Sequence, residues 1–326
     1  MSGKKLEIND VAPSSIRHLI GQTGVIDQVT VALDAAQMDT TKFPHGLLVG
    51  PPGLGKSALA QVVAQEMATG FHETLGQSLK HPSDLNALLL NAKSRDVVHI
   101  DEIHESPKPL QTALYLALDK RKIILSGGTG APQSLPLSDF TVLLSTTDEY
   151  ALLQPLRDRM RLCLRFQFYT VGELAIVVQQ RAKALCWDIH EELVPLISQR
   201  SRGTPRLALR LLQSCHRVCR ANGGHTITLA HLKRACDLEQ LDNLGLGQVD
   251  QQYIQIVANG ASRLNVIASM LGLPARTVSE VTEPFLLRAG LIIKDDQGRR
   301  QLTAKGREHL ANSYRNDDQF LSESRP

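Results

Sequence analysis

The stretch VVHIDEIHESP, residues 97–107, sets two carboxylates, Asp101 and Glu102, between two imidazoles, His99 and His104. His, Asp and Glu at such spacing suit a zinc or iron centre, and neighbouring carboxylates suit acid–base work. An apolar run ending in Asp-Glu also suits a nucleotide hydrolase. A second motif decides among these. GPPGLGKS, residues 50–57, fits GxxxxGK[ST]. Glycines such as Gly53 and Gly55 let backbone N–H groups turn inward around phosphate. Lys56 can then reach the β and γ phosphates, and Ser57 can ligate Mg²⁺. The helix that begins here aims its positive end at the anion. A glycine-rich turn without ligand fits the same pattern, but here an apolar strand precedes the loop and a helical pattern follows it. With ATP and Mg²⁺ in that cradle, Asp101 is predicted to join Ser57 in the metal shell, and Glu102 to polarise the attacking water. His99, inside the apolar run, becomes a packing residue. His104 becomes a neighbour of the site and not a metal ligand.

Three further stretches carry polar groups that such a site uses. LLSTTDEY ends an apolar run with Thr146 and Thr147, hydroxyls that report the γ-phosphate or merely build a turn. PLRDRMR, residues 155–161, offers arginines that act across a subunit boundary or form a solvated basic helix end. RGTPR, residues 202–206, opens a helix with Pro205 in its first turn, and Arg206 either points back at the phosphates or faces solvent.

These groups need a scaffold. HGLLVG, DVVHIDEI and FTVLLST read as buried strands, and KSALAQVVAQEMATG, SDLNALLLNAK and PLQTALYLALDK read as helices between them. Strands alternating with helices predict an α/β core, a parallel sheet with helices on both faces. After residue 168 four helical patterns follow with short links, an all-helical lid. From VDQQYIQIVANG onward, three helices and a hairpin follow the order of a winged helix-turn-helix. The predicted division is 1–168 core, 169–245 lid, 246–314 winged helix and 315–326 flexible tail. The length of 326 residues accommodates that many units, and 42% hydrophobic with 21% charged residues is the balance of a soluble globular protein. A net charge of +3 leaves nucleic-acid binding to a local patch. Five cysteines without a CxxC pair predict free thiols in a reducing cytoplasm; Cys215 and Cys219, four apart, could share zinc but more simply pack. No apolar secretory segment opens the sequence, and no apolar run is long enough to span a membrane.

Taken together, IGQ, GPPGLGKS, IDEIH, PLRDR, FYT, RSRGTPRLALRLL, LGL and EPFLLRAGLI resemble motifs of the RuvB family, in that family's order, over about residues 10–310. GPPGLGK and DEIH are common to many AAA+ proteins; RSRGTPR with EPFLLRAGLI is more specific. The resemblance implies hexameric AAA+ motors of Holliday-junction branch migration, with an AAA+ core, a helical lid and a DNA-binding winged helix. By that likeness Gly53, Lys56, Ser57 and Ala58 line the phosphates. Arg159 is the finger inserted into the neighbour's site and Arg206 the sensor in cis. Tyr169, Ile20 of IGQ, and Val11 and Ala12 upstream lie near adenine and ribose. Lys294 and Arg299 stand where the family has DNA-contacting arginines. Segment 123–137 resembles the hairpin that docks the junction-binding partner RuvA, with Ile123, Ile124 and Leu125 as its apolar contact; as plain pattern it is one more sheet strand.

The departures from the family pattern matter. Ala12 replaces an arginine, Leu19 a tyrosine, and Asp148 stands where a cation is usual. The wing carries Asp295 and Asp296, and the expected recognition helix carries Glu280 and Glu283 against Arg276 and Arg288. Fewer phosphate contacts weaken DNA binding and flatten its salt dependence. Two readings therefore stand: an ATP-driven DNA motor, or a nucleotide-dependent switch or loader that recruits a partner to DNA without translocation. A sequence-specific transcription regulator is a third, disfavoured by the acidic recognition helix.

Overall fold

A computed structural model of the chain describes residues 12–125 and 133–312. In chain order it runs α1 (Thr23–Met38), β1 (Gly46–Val49), α2 (Lys56–Glu66), β2 (Phe71–Leu75), α3 (Pro82–Asn91), β3 (Val97–Asp101) and α4 (Lys108–Lys120). Then come β4 (Lys122–Leu125), β5 (Gln133–Pro136), β6 (Thr141–Thr146), α5 (Gln154–Arg157) and β7 (Leu162–Arg165). Five strands form a parallel sheet in the order β2-β3-β6-β1-β7. The inner strands are apolar because helices cover both faces; every residue of β6 is buried. Alternation along the strands splits the core in two. Leu47, Ile100 and Leu144 pack with Leu89 and Leu114 of α3 and α4. Leu48, Val97 and Leu143 pack with Val29 and Val63 of α1 and α2. The apolar runs mark β1, β3 and β6, but FHETL and LCLR, which become β2 and β7, are edge strands, mixed in character and, apart from Leu164, at least partly exposed.

Segment 123–137 is not a strand of this sheet. β4 and β5 pair antiparallel only with each other, Lys122 opposite Pro136 and Leu125 opposite Gln133. Successive side chains point to opposite sides, so the expected apolar surface is corrected: Ile123 is 4% exposed and belongs to the core, while Ile124 is 50% exposed. The Leu125 side chain and residues 126–132 lie outside the described residues, as do Val11 and the expected tail.

The chain divides into two compact units, Met1–Cys186 with Gly203–Arg206, and Trp187–Arg202 with Leu207–Pro326. Helix α6 (Val171–Ala184), opened by a reciprocal Thr170–Glu173 capping box, groups with the first unit although the sequence division places it in the lid. The second unit holds β8 (Asp188–Ile189), α7 (Leu193–Gln199), most of α8 (Pro205–Ala221), β9 (Thr226–Ile227) and α9 (Leu229–Glu239). β8 and β9 form a two-residue parallel ladder, so this part is helical with one short exception. Cys215, Cys219 and Cys236 are buried free thiols; among the described residues no group of three or more His, Cys, Asp or Glu is placed to hold a metal. Nor is any described helix long and apolar enough to cross a membrane.

The same unit continues with α10 (Gln248–Ala258), α11 (Leu264–Leu271), α12 (Ala275–Thr277), a π-helical turn over Val278–Thr282, α13 (Glu283–Arg288), β10 (Ile292–Lys294) and β11 (Arg300–Leu302). The single helix expected over residues 275–288 is thus interrupted. Pro284 has no N–H to return to the Glu280 carbonyl, and the loosened ladder takes up the wider turn. Glu283, expected as a surface acid, is fully buried. Its carboxylate accepts from Tyr253 Oη at 2.9 Å, Arg300 Nε at 2.8 Å and Arg300 Nη2 at 3.2 Å, and pairs with Lys294 Nζ at 2.6 Å. One buried acid thus ties α10, α13 and both wing strands together.

Burial pushes the Glu283 carboxyl up, but the hydrogen bonds from Arg300, Lys294 and Tyr253 outweigh it and hold it below the usual carboxylate range. A depressed folded pKa contributes stability above the unfolded value and loses it as pH falls through the folded one. Glu283→Ala leaves two cations without their counter-charge, so a loss of about 3–5 kcal/mol is expected in urea unfolding at pH 7. The gap to wild type should narrow only below about pH 4. A gap that stays constant down to pH 3 would contradict the ionised network.

Candidate nucleotide site and wing surface

The sheet order decides which residues meet. β6 lies between β1 and β3, so the C-terminal ends of these three parallel strands are neighbours, and each feeds a polar loop. The loop after β1 wraps through Gly53 at φ 79° and Gly55 at φ 98°, left-handed positions strained for any residue with a Cβ. A Cβ on Gly53 would also stand 2.9 Å from the Cβ of Arg206. Gly55 is the N-cap of α2, so the unpaired N–H groups of that helix face the loop. Lys56 opens the helix and is 5% exposed; its Nζ donates to Gly50 O at 2.6 Å and Pro51 O at 3.1 Å. Burial pushes the ammonium down, Glu102 and Asp101 push it up, and Arg206 pushes it down again. Lys56 therefore feels both carboxylates and the second cation at once.

Ser57 Oγ donates to Asp101 Oδ2 at 3.0 Å, and Asp101 Oδ1 accepts from the Glu102 N–H at 3.0 Å. A hydroxyl beside a carboxylate is the hard-oxygen pair that Mg²⁺ takes, with water and phosphate oxygens completing its shell. Glu102 itself has φ 47° and ψ 50°, left-handed for a residue with a full side chain. The neighbouring chain makes room for this backbone: a Cβ on Gly76 would lie 2.3 Å from the Glu102 carbonyl oxygen. The Glu102 carboxylate accepts from the Thr147 N–H at 3.2 Å and Thr147 Oγ1 at 3.3 Å, and His104 Nδ1 stands 3.3 Å away. Thr146 Oγ1 lies 2.9 Å from Asp148 O and 3.1 Å from His104 Nδ1, so the imidazole is set between Thr146 and Glu102. His99, by contrast, is fully buried between Glu73 (Nδ1, 3.0 Å) and Ser145 (Nε2, 2.7 Å), a polar core residue.

Tyr169 Oη donates to Leu54 O at 3.2 Å, and burial pushes its phenol up to about 12. Gly21 sits against it; a Cβ there would lie 3.0 Å from Tyr169 Cε1 and 2.8 Å from Glu173 Oε1. Gln22 clamps the Gln167 backbone at 2.6 and 3.0 Å. The IGQ segment with Ile20 thus reaches Tyr169 beside the loop, while Ala12 is exposed. Ala58 lies in the first turn of α2.

Arg159 stands apart. It precedes β7, at the N-terminal end of the sheet and opposite the phosphate loop, and pairs with Asp119. Asp148, at the position usually cationic, accepts from the Ala151 N–H at 3.1 Å and so shapes the turn leading into α5.

On the wing, Lys294 is exposed and its ammonium pairs with Glu283. Arg299 is exposed. Asp295, read as lost basic charge, accepts from the N–H groups of Gln297 (2.9 Å) and Arg299 (2.7 Å) and so folds the wing turn. Arg276 is paired with Glu280 across one helical turn. Sequence reasoning missed Gly76 and Asp119. The only signal for Gly76 is the residue type, and Asp119 reads as one charge on a helix surface.

Comparison with known proteins agrees over residues 11–311. Residues 11–166 match the description "Holliday junction DNA helicase RuvB P-loop domain", residues 169–242 "RuvB AAA lid domain" and residues 243–311 "RuvB C-terminal winged helix domain". The Holliday junction branch migration complex subunit RuvB of Limosilactobacillus reuteri is 37% identical over 312 residues, 94% of this chain and 92% of that one. That of Thermotoga maritima is 35% identical over 305 residues, 91% of each. A mutant of Thermotoga maritima RuvB superposes with a TM-score of 0.81 at 33% identity, covering 92% of this chain and 99% of the other. The Thermotoga maritima RuvB Holliday junction branch migration motor gives 0.78 at 33% identity, covering 92% and 98%. With phosphate loop, lid and winged helix all matched, the chain belongs to the RuvB family of AAA+ ATPases.

Proposed function

We propose that this chain is the ATP-driven motor subunit of Holliday junction branch migration. It works as a ring of identical subunits, six by family likeness, in DNA recombination and repair. The observation that supports this most is the joining of Ser57 and Asp101 at 3.0 Å with Glu102 held ready beside them by Thr147 and His104. Lys56 exchanges the Gly50 and Pro51 carbonyls for the β and γ phosphate oxygens of ATP. Ser57 and Asp101 would hold Mg²⁺, which would neutralise phosphate charge when bound. Glu102 orients the attacking water once its carboxylate turns from Thr147, and Arg206 contacts the phosphates from above Gly53. Arg159 completes the site of the next subunit. Tyr169, the IGQ segment and the residues around Ala12 flank the base and ribose. The division into core (1–168), lid (169–245) and winged helix (246–314) serves transmission of the lid movement to DNA through Arg299 and neighbouring backbone contacts. A RuvA-type junction-binding protein docks on the hairpin at Ile124.

A second reading, a switch or loader without translocation, is favoured by the paired state of Lys294 and Arg276, which lowers the charge the winged helix offers to phosphates.

Glu102→Gln should keep ATP binding and lower turnover by at least about 100-fold, since a positioned general base is worth that much. Equilibrium binding and steady-state hydrolysis read the two separately, and lost binding would mean that the carboxylate pair has been misassigned. DNA-stimulated ATPase over a salt series separates the motor from the switch. The motor requires stimulation that weakens as salt rises, and Arg299→Ala should reduce the binding slope by about one. Absence of stimulation at low salt favours the switch.

A further inference from the structure

The surroundings of Arg159 are more specific than an exposed ion pair requires. Its Nε donates to Asp119 Oδ1 at 2.8 Å and its Nη2 to Asp119 Oδ2, a bidentate contact; its Nη1 donates to Pro155 O at 2.7 Å. The guanidinium also lies 5.0 Å above the Tyr115 ring. Tyr115 and Asp119 are one turn apart on α4, so they share a face, and Pro155 is one turn before Arg159. Four restraints thus fix a side chain whose rotamer freedom is worth about 2 kcal/mol. An isolated surface pair does not need them and contributes about 0–1 kcal/mol. A guanidinium has five N–H groups. Three are occupied here, and among the described residues two remain, one on each terminal nitrogen. The bidentate contact takes the Nε edge, so the remaining Nη2 hydrogen points to the far edge of the group.

We propose that Asp119, assisted by Tyr115, is the positioning residue of the trans-acting arginine: it grips Arg159 by the Nε edge and presents the remaining N–H groups to phosphate oxygens of the nucleotide bound by the next subunit. This rests on the reading of Arg159 as that arginine. The Arg159 hydrogen bonds hold the Asp119 carboxyl below its usual range, so the grip is charged at neutral pH. Asp119 touches no substrate; it acts through Arg159. The pair is a positioner and not a latch, because the grip leaves the far edge uncovered and need not break for Arg159 to act.

The test uses full-length assembled protein. Asp119→Asn should lower kcat for ATP about 10- to 100-fold, the range expected from misplacing a catalytic group by an ångström. KM should stay within about twofold, since each site binds ATP through its own phosphate loop. Asp119→Glu, which keeps the charge, should recover part of the rate. The deciding measurement is mixing. Lys56→Ala subunits have a defective site but an intact Arg159, so adding them to Asp119→Asn subunits should raise turnover above the sum of the two. Arg159→Ala is the control: if it keeps full turnover, the assignment of Arg159 and with it this proposal both fall. If Arg159→Ala is inactive while Asp119→Asn matches or exceeds wild type, only the positioning role is overturned. A defect in Asp119→Asn that Lys56→Ala subunits do not relieve at any ratio also overturns it, because the damage then lies within the variant's own subunit.

Discussion

The contact between Ser57 and Asp101, 3.0 Å long, is the constraint on which the rest of the nucleotide site depends. It joins the first turn of α2 to the end of β3, and those two ends meet only because β6 runs between β1 and β3. A hydroxyl donor and a carboxylate acceptor would not be held together at the mouth of a sheet for stability alone; a partly exposed hydrogen bond of this kind contributes about 1 kcal/mol. Its value is geometric. It fixes the spacing between the phosphate loop and the acidic strand end, and Lys56, Arg206 and Glu102 are then placed relative to one frame. Every other group in the site is adjusted to it: Lys56 is held back by the Gly50 and Pro51 carbonyls, and Glu102 is turned towards Thr147.

Glu102 shows how that frame is maintained against local preference. A left-handed backbone at a residue with a Cβ is unfavourable by roughly 1–3 kcal/mol and persists only where the surroundings over-determine it. Three features do so here. Asp101 accepts the Glu102 N–H, Thr147 holds its carboxylate, and Gly76 leaves room for its carbonyl oxygen. The last is the least obvious. Gly76 lies on the turn after β2, an edge strand with no chemistry of its own, yet a methyl group there would displace the Glu102 backbone. The edge of the sheet thus acts on Glu102 through volume and not through charge.

Much of this was legible in the sequence, for a physical reason. A phosphate loop needs glycine at left-handed positions and a lysine and hydroxyl at fixed offsets, so local chain geometry and residue type are enough to read GPPGLGKS. The acidic strand end is readable because parallel strands buried on both faces must be apolar until they emerge. What escaped reading depends on contacts between residues distant in sequence. Gly76 matters through residue 102, Asp119 through residue 159, and Ile123 is buried because strand alternation turns it away from Ile124. The edge strands β2 and β7 escaped because partial solvation gives them no apolar run.

The winged helix carries the same lesson for charge. Counted along the chain, Glu283, Asp295 and Glu280 make this surface look acidic. In three dimensions Glu283 lies in the core, paired with Lys294 and Arg300, and Asp295 accepts from the backbone of the turn it folds. The cations are altered too. Lys294 and Arg300 balance Glu283, and Arg276 balances Glu280, while Lys294 and Arg299 are both exposed. Pairing within the domain thus engages several of the charges that a sequence count treats as free.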